Sequence, residues 1–253
     1  MKLLNNNKDI NQVNLLSFGS TSSGGNKHTL MMKYLSVWSN ILDISNESNS
    51  YNQWTPFTDN QNHSIIIGRD NDDYVGARAV IGGSNNNLLF ITYFKDNISV
   101  FDLNTFQFIK HDTLTNSSDI QFHCFVSKSE NVQGQEIAKI NQILLFKENT
   151  GLSIEYDENK NDFQFNQILV CNDVAQLYKY AYVCINDTIL FFGGCSWDFS
   201  VMSKLLYKYE VRENKWMVLQ NTLPIQLYDC YVILNEEDND INIIGGLSSF
   251  LIH

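Results

Sequence analysis

YAYVCINDTILFFGG, residues 180–194, followed after a short gap by SKLLYKYEVRENKWMVL, residues 203–219, decides how this chain is read. An apolar run (Tyr182–Ile185), a turn (Asn186-Asp187) and a second apolar run (Ile189–Phe192) end in the pair Gly193-Gly194. Beyond it, Leu205–Val211 and Trp216–Leu219 flank the polar turn Arg212–Lys215. Four short apolar runs separated by turn residues predict one antiparallel four-stranded sheet.

Working outward, the pair Tyr209 and Trp216, six residues between them, has counterparts in Tyr156 and Phe163 and in Phe101 and Phe108. Trp38 and Trp54 fit the series if the Asn/Ser-rich stretch between them carries nine extra residues. The second members stand at 54, 108, 163 and 216, spaced by 54, 55 and 53 residues. First strands are expected at Ala77–Ile81, Phe122–Ser127, Tyr182–Ile185 and Cys230–Leu234. Second strands are expected at Asn14–Phe18, Leu88–Tyr93, Ile143–Phe146, Ile189–Phe192 and Ile241–Ile244. A period near fifty residues with four strands per unit is the pattern of propeller blades. The segment MMKYLSVWSNIL, residues 31–42, also fits a helix face, and register with the later units favours a strand.

These residues resemble the kelch repeat, in which a double glycine ends the second strand and a Tyr and a Trp follow on the outer strands. Gly193-Gly194 with Tyr209 and Trp216 carries the whole motif, and Gly245-Gly246 carries its first half. Unit one offers Gly19-Ser20, whereas units two and three have Thr92-Tyr93 and Lys147-Glu148 where the glycines belong. The resemblance implies an all-β, kelch-type β-propeller with units at about 1–58, 63–115, 120–170 and 176–222 and a partial one at 226–246. Kelch propellers usually close with six or seven blades, so four units plus two strands suggest an incomplete ring, with self-association as its consequence.

Composition narrows the function. Twenty-eight acidic residues against 17 basic give a net charge of −11, and no Lys/Arg cluster interrupts it, which argues against nucleic acid as a partner. The opening MKLLNNNKDI holds no apolar core of a secretory leader, and no run approaches the length of a membrane span. Five widely spaced cysteines (Cys124, Cys171, Cys184, Cys195 and Cys230) read as buried free thiols of a reducing compartment, so the cytoplasm is the expected location.

Chemistry-bearing patterns are sparse. Gly82-Gly83, before Ser84-Asn85-Asn86-Asn87, reads as a hairpin turn. The loop from Gly19 to Lys27 lacks the Gly-Lys-Ser/Thr ending of a phosphate loop. His28, His63, His111, His123 and His253 show no metal-ligand spacing, and no cysteine pair forms CxxC. The acidic runs Asp70–Asp73 and Glu236–Asp240 could bind a cation, and the second, between two expected strands, reads rather as a solvated hairpin loop. No catalytic, cofactor or metal residue is therefore expected. The resemblance implies a non-catalytic adaptor or scaffold that binds an unknown protein through its rim loops. The alternative is a propeller enzyme acting on sugars, of the mutarotase or galactose-oxidase kind.

Overall fold

The computed structural model describes residues 2–3, 12–35, 51–115, 119–128, 140–235 and 240–248. The chain is all-β, built of five antiparallel sheets in succession. The first contains β1 (Lys2–Leu3), β2 (Gln12–Gly19), β3 (His28–Leu35) and β4 (Thr55–Pro56). The second contains β5 (Arg78–Gly82), β6 (Leu88–Tyr93), β7 (Asn97–Asp102) and β8 (Gln107–Thr113). The third has β9 (Cys124–Ser127), β10 (Ile140–Lys147), β11 (Thr150–Asp157) and β12 (Asp162–Gln167). After the single helical turn α1 (Asn172–Ala175), the fourth has β13 (Ala181–Ile185), β14 (Thr188–Phe192), β15 (Leu205–Glu210) and β16 (Lys215–Thr222). The fifth pairs β17 (Tyr228–Asn235) with β18 (Asp240–Leu247). Strand order equals chain order in every sheet, so each is a meander. Residues 36–50, which include Trp38, and 236–239 lie outside the described residues.

The local turn chemistry explains the aromatic spacing. Between the third and fourth strands of the second, third and fourth sheets the loops are 103–106, 158–161 and 211–214, four residues each. Each ends on a left-handed residue: Phe106 (φ 58°), Asn161 (φ 52°) and Asn214 (φ 49°). This turn makes Phe101 and Phe108, Tyr156 and Phe163, and Tyr209 and Trp216 direct cross-strand partners. Their ring centroids lie 5.1, 4.9 and 4.9 Å apart. In two of the three, the tyrosine hydroxyl donates to the turn asparagine, Tyr156 to Asn161 Oδ1 at 2.8 Å and Tyr209 to Asn214 Oδ1 at 2.7 Å. Trp54 stands beside β4 and is exposed.

The sheets stack face to face. One apolar cluster joins the first and second through Leu16, Leu89, Ile91 and Phe101. A second joins the second and third through Phe90, Val100, Leu145 and Tyr156. Phe146, Phe191 and Tyr209 join the third to the fourth, and Phe192, Ala181 and Cys230 join the fourth to the fifth. In each of the second, third and fourth sheets the aromatic pair packs back onto the preceding sheet, as Tyr156 and Phe163 do on Phe90. First strands of consecutive sheets lie side by side, β5 with β9 and β13 with β17. The second strands of the second, third and fourth sheets carry the core; β6 is buried at all six positions because sheets cover both its faces. The fourth strands face outward and are largely exposed.

Candidate functional site

Because each sheet is a meander, its second-to-third-strand turn and the linker to the next sheet lie at one edge of the stack. Residues 20–27, 94–96, 148–149 and 193–204 are such turns, and 57–77, 114–115 with 119–123, 168–180 and 223–227 belong to such linkers. This rim holds a cleft of about 250 Å³ lined by Phe94, Asp119, Gln121, Phe122, Lys147, Tyr178 and Trp197.

The aromatic side of the cleft is projected by the loop SWDFS, residues 196–200. Asp198 Oδ1 accepts hydrogen bonds from Ser196 Oγ (2.6 Å), Ser200 Oγ (2.7 Å) and the Ser200 N–H (3.1 Å). Those donors, Ser196 first, hold the Asp198 carboxyl down at about 2. The Ser196 N–H donates to the Val201 carbonyl at 2.8 Å and closes the loop. With its polar groups hydrogen-bonded to one another, the loop carries Trp197 and Phe199 at 74% and 44% exposure. Trp197 leans on Tyr178 (centroids 5.4 Å) and Phe199 on Tyr228 (5.5 Å). Tyr178 is itself pinned by paired backbone hydrogen bonds with Cys195, and burial pushes its hydroxyl up to about 12.

The floor is a repeated backbone feature. Two residues before β5, β9 and β13 stand Gly76 (φ 68°), Phe122 (φ 52°) and Lys179 (φ 55°), and Asp229 (φ 56°) occupies the matching place in β17. A left-handed Phe is strained, and here neighbouring sheets hold it. The Phe122 N–H donates to the Gly76 carbonyl and the Asp229 N–H to the Lys179 carbonyl, each at 2.8 Å. Lys179 Nζ lies 4.8 Å from the Phe122 ring centroid, 5.7 Å from that of Tyr178 and 3.4 Å from Asp229 Oδ2. An internal cation thus occupies these aromatic faces. Lys147 Nζ donates to the Asp119 carbonyl at 2.9 Å and lies 3.9 Å from Glu148.

Other residues singled out in the sequence have structural partners. Asp72 is buried and salt-bridged to Arg69 (2.9 Å), whose guanidinium also donates to Tyr93 Oη. Asp73 Oδ2 accepts from the Ser23 N–H at 2.9 Å, and the Tyr74 N–H donates to Ser20 Oγ at 2.8 Å. Together they tie the Gly19–Lys27 loop to the Asp70–Asp73 run. Gly82-Gly83 opens the hairpin between β5 and β6. Gly193, Gly194, Gly245 and Gly246 all have positive φ, at 65°, 98°, 72° and 103°. Burial raises the thiols of all five cysteines, that of Cys195 to about 11, so the thiolate form is disfavoured at each. Among the described residues no group of three His, Cys, Asp or Glu could hold a metal ion, and no helix is long and apolar enough to cross a membrane. Trp197 and Phe199 were not among the expected site residues. The available signal was two aromatics set among Ser and Asp directly after a diglycine, where no strand needs them.

No family model matches the chain, and no curated protein matches it. A solved structure described as "Structure of YjhT" matches with a TM-score of 0.56 and 12% identity, over 95% of this chain and 75% of that one. At that identity the likeness is one of fold alone.

Proposed function

We propose that the chain is a kelch-type propeller segment that works as a non-catalytic protein-binding adaptor or scaffold, with the 196–200 loop and its cleft as the docking point. The observation that carries this reading is the exposure of Trp197 and Phe199 on a loop stiffened by Asp198. Interfaces draw most of their energy from a few rigid aromatic anchors, and an exposed indole beside a cleft is such an anchor. A loop held by three hydrogen bonds loses little entropy when a partner arrives. The repeat spacing, the cross-strand aromatic pairs and the two diglycines support the kelch assignment.

The test is affinity capture from cells, wild type against Trp197→Ala, with mass spectrometry of what is retained. Proteins held by the wild type and reduced about tenfold or more with the variant support the reading, a loss of roughly 1.4 kcal/mol. An unchanged capture profile would sink the loop as the docking point. A sugar that protects the cleft and is chemically altered on incubation would favour the propeller-enzyme reading instead.

A further inference from the structure

The walls of the rim cleft already hold a positive group of the chain itself. Lys179 Nζ lies 4.8 Å from the centroid of the Phe122 ring and 5.7 Å from that of Tyr178. An aromatic face attracts a cation at such distances because its π cloud carries partial negative charge. Phe94 and Trp197 complete the aromatic lining. Trp197 leans on Tyr178 with centroids 5.4 Å apart and ring planes at 40°, yet the residue stays 74% exposed. The indole therefore still has open ring surface at the cleft.

The charges at the cleft are unevenly matched. Lys179 Nζ lies 3.4 Å from Asp229 Oδ2. Lys147 Nζ lies 3.9 Å from Glu148 Oε1 and donates to the Asp119 main-chain carbonyl at 2.9 Å. Both ammonium groups are thus answered within the chain. The Asp119 carboxylate is not. It lines the cleft at an exposed position, and among the described residues no basic side chain forms an ion pair with it. A carboxylate of the partner would meet Asp119 as a like charge, and would have to draw Lys147 and Lys179 away from the groups they already hold. A cation meets an open ring face and an unmatched carboxylate together.

We propose that the cleft receives an arginine side chain of the partner protein, its guanidinium stacked on Trp197 and paired with Asp119. Arginine suits the place better than lysine. Its planar guanidinium stacks on an aromatic face, sheds water more readily than an ammonium, and offers a carboxylate two parallel N–H donors. The inference rests on the docking reading above and adds to it the chemistry of the partner.

The experiment titrates short, end-blocked glycine peptides with a central arginine, citrulline, lysine or glutamate into the whole chain. The indole N–H resonance of Trp197, assigned with Trp197→Phe, is followed by NMR. The arginine peptide should shift that resonance saturably, and added salt should weaken its binding. Citrulline keeps the shape and loses the charge, so its peptide should bind about fivefold more weakly. Asp119→Asn should bring the arginine peptide down to the citrulline level. Should that variant fail to fold, the arginine and citrulline peptides on the wild type still decide. The proposal is overturned if no peptide shifts the resonance, if citrulline, lysine or glutamate binds as well as arginine, or if Asp119→Asn changes nothing. Capture with Trp197→Ala then separates the two readings. Failed peptides with a lost capture remove the arginine alone, whereas failure of both removes the docking loop as well.

Discussion

Gly193 and Gly245 have nearly the same backbone, φ 65° and 72°, in very different surroundings. A left-handed alanine costs about 1 kcal/mol by itself. At 193 the new methyl also collides with the Leu227 carbonyl at 2.1 Å, the same oxygen that accepts the Gly194 N–H at 2.8 Å. Relief of that clash costs packing and the hydrogen bond, so Gly193→Ala should destabilise by about 3 kcal/mol in total. Gly245→Ala meets no atom of the described residues within 4 Å and should cost about 1 kcal/mol. Urea denaturation of the two variants compares them directly. Equal losses would mean that the fourth and fifth sheets are not joined as described.

The third-to-fourth-strand hairpin is the unit that the sequence repeats, and its aromatic pair is what binds one sheet to the preceding one. Trp216 sits 5.1 Å from Phe146, 5.1 Å from Phe191 and 4.9 Å from Tyr209, and its Nε1–H donates to the Leu169 carbonyl at 2.9 Å. It is only partly buried, whereas Phe163 at the matching place is buried. Repeat position alone implies full burial for both rings. Both rings stand on the outer strand of their sheet, and the larger indole of Trp216 reaches the surface. We expect Trp216→Ala to cost about 2–3 kcal/mol and the smaller Phe163→Ala about 3–4 kcal/mol. Trp54→Ala should cost under about 0.5 kcal/mol, since that indole is exposed. Thermal melts rank the three, and a Trp54 loss as large as that of Trp216 would contradict the exposure.

At the scale of the whole molecule, stability depends on joins between sheets, and one of them titrates. His123, ahead of β9, is fully buried, and its Nε2 lies 2.6 Å from Thr92 Oγ1 in the second sheet. Its Nδ1 has no hydrogen-bond partner among the described residues. Burial first, then Arg78 and Lys147, holds its pKa well below the ordinary value, and His111 is lowered in the same sense, mainly by burial. The unfolded chain therefore takes up protons near pH 6.5 that the folded chain refuses. Stability should be full above that pH and fall below it, by up to about 1.4 kcal/mol per pH unit for each histidine. Denaturation midpoints between about pH 7 and pH 5 should show the fall, and His123→Asn should flatten part of it. Identical slopes for the wild type and the variant would show that His123 is solvated in the folded state.

The sequence by itself determined the strand-and-turn succession and the pairing of the aromatics, because both are short-range. A four-residue turn with a left-handed last residue makes Tyr209 and Trp216 partners whatever else surrounds them, and alternation then sets their common face. The candidate site was legible only as rim loops in general. The bonds that fix Asp198 are local, to Ser196 and Ser200, whereas the left-handed conformation of Phe122 and Lys179 and the burial of His123 depend on segments far away in sequence. Burial of strand residues follows the same logic. Ile244 and Ile91 are both apolar strand residues, and among the described residues neighbouring sheets bury Ile91 and leave Ile244 exposed.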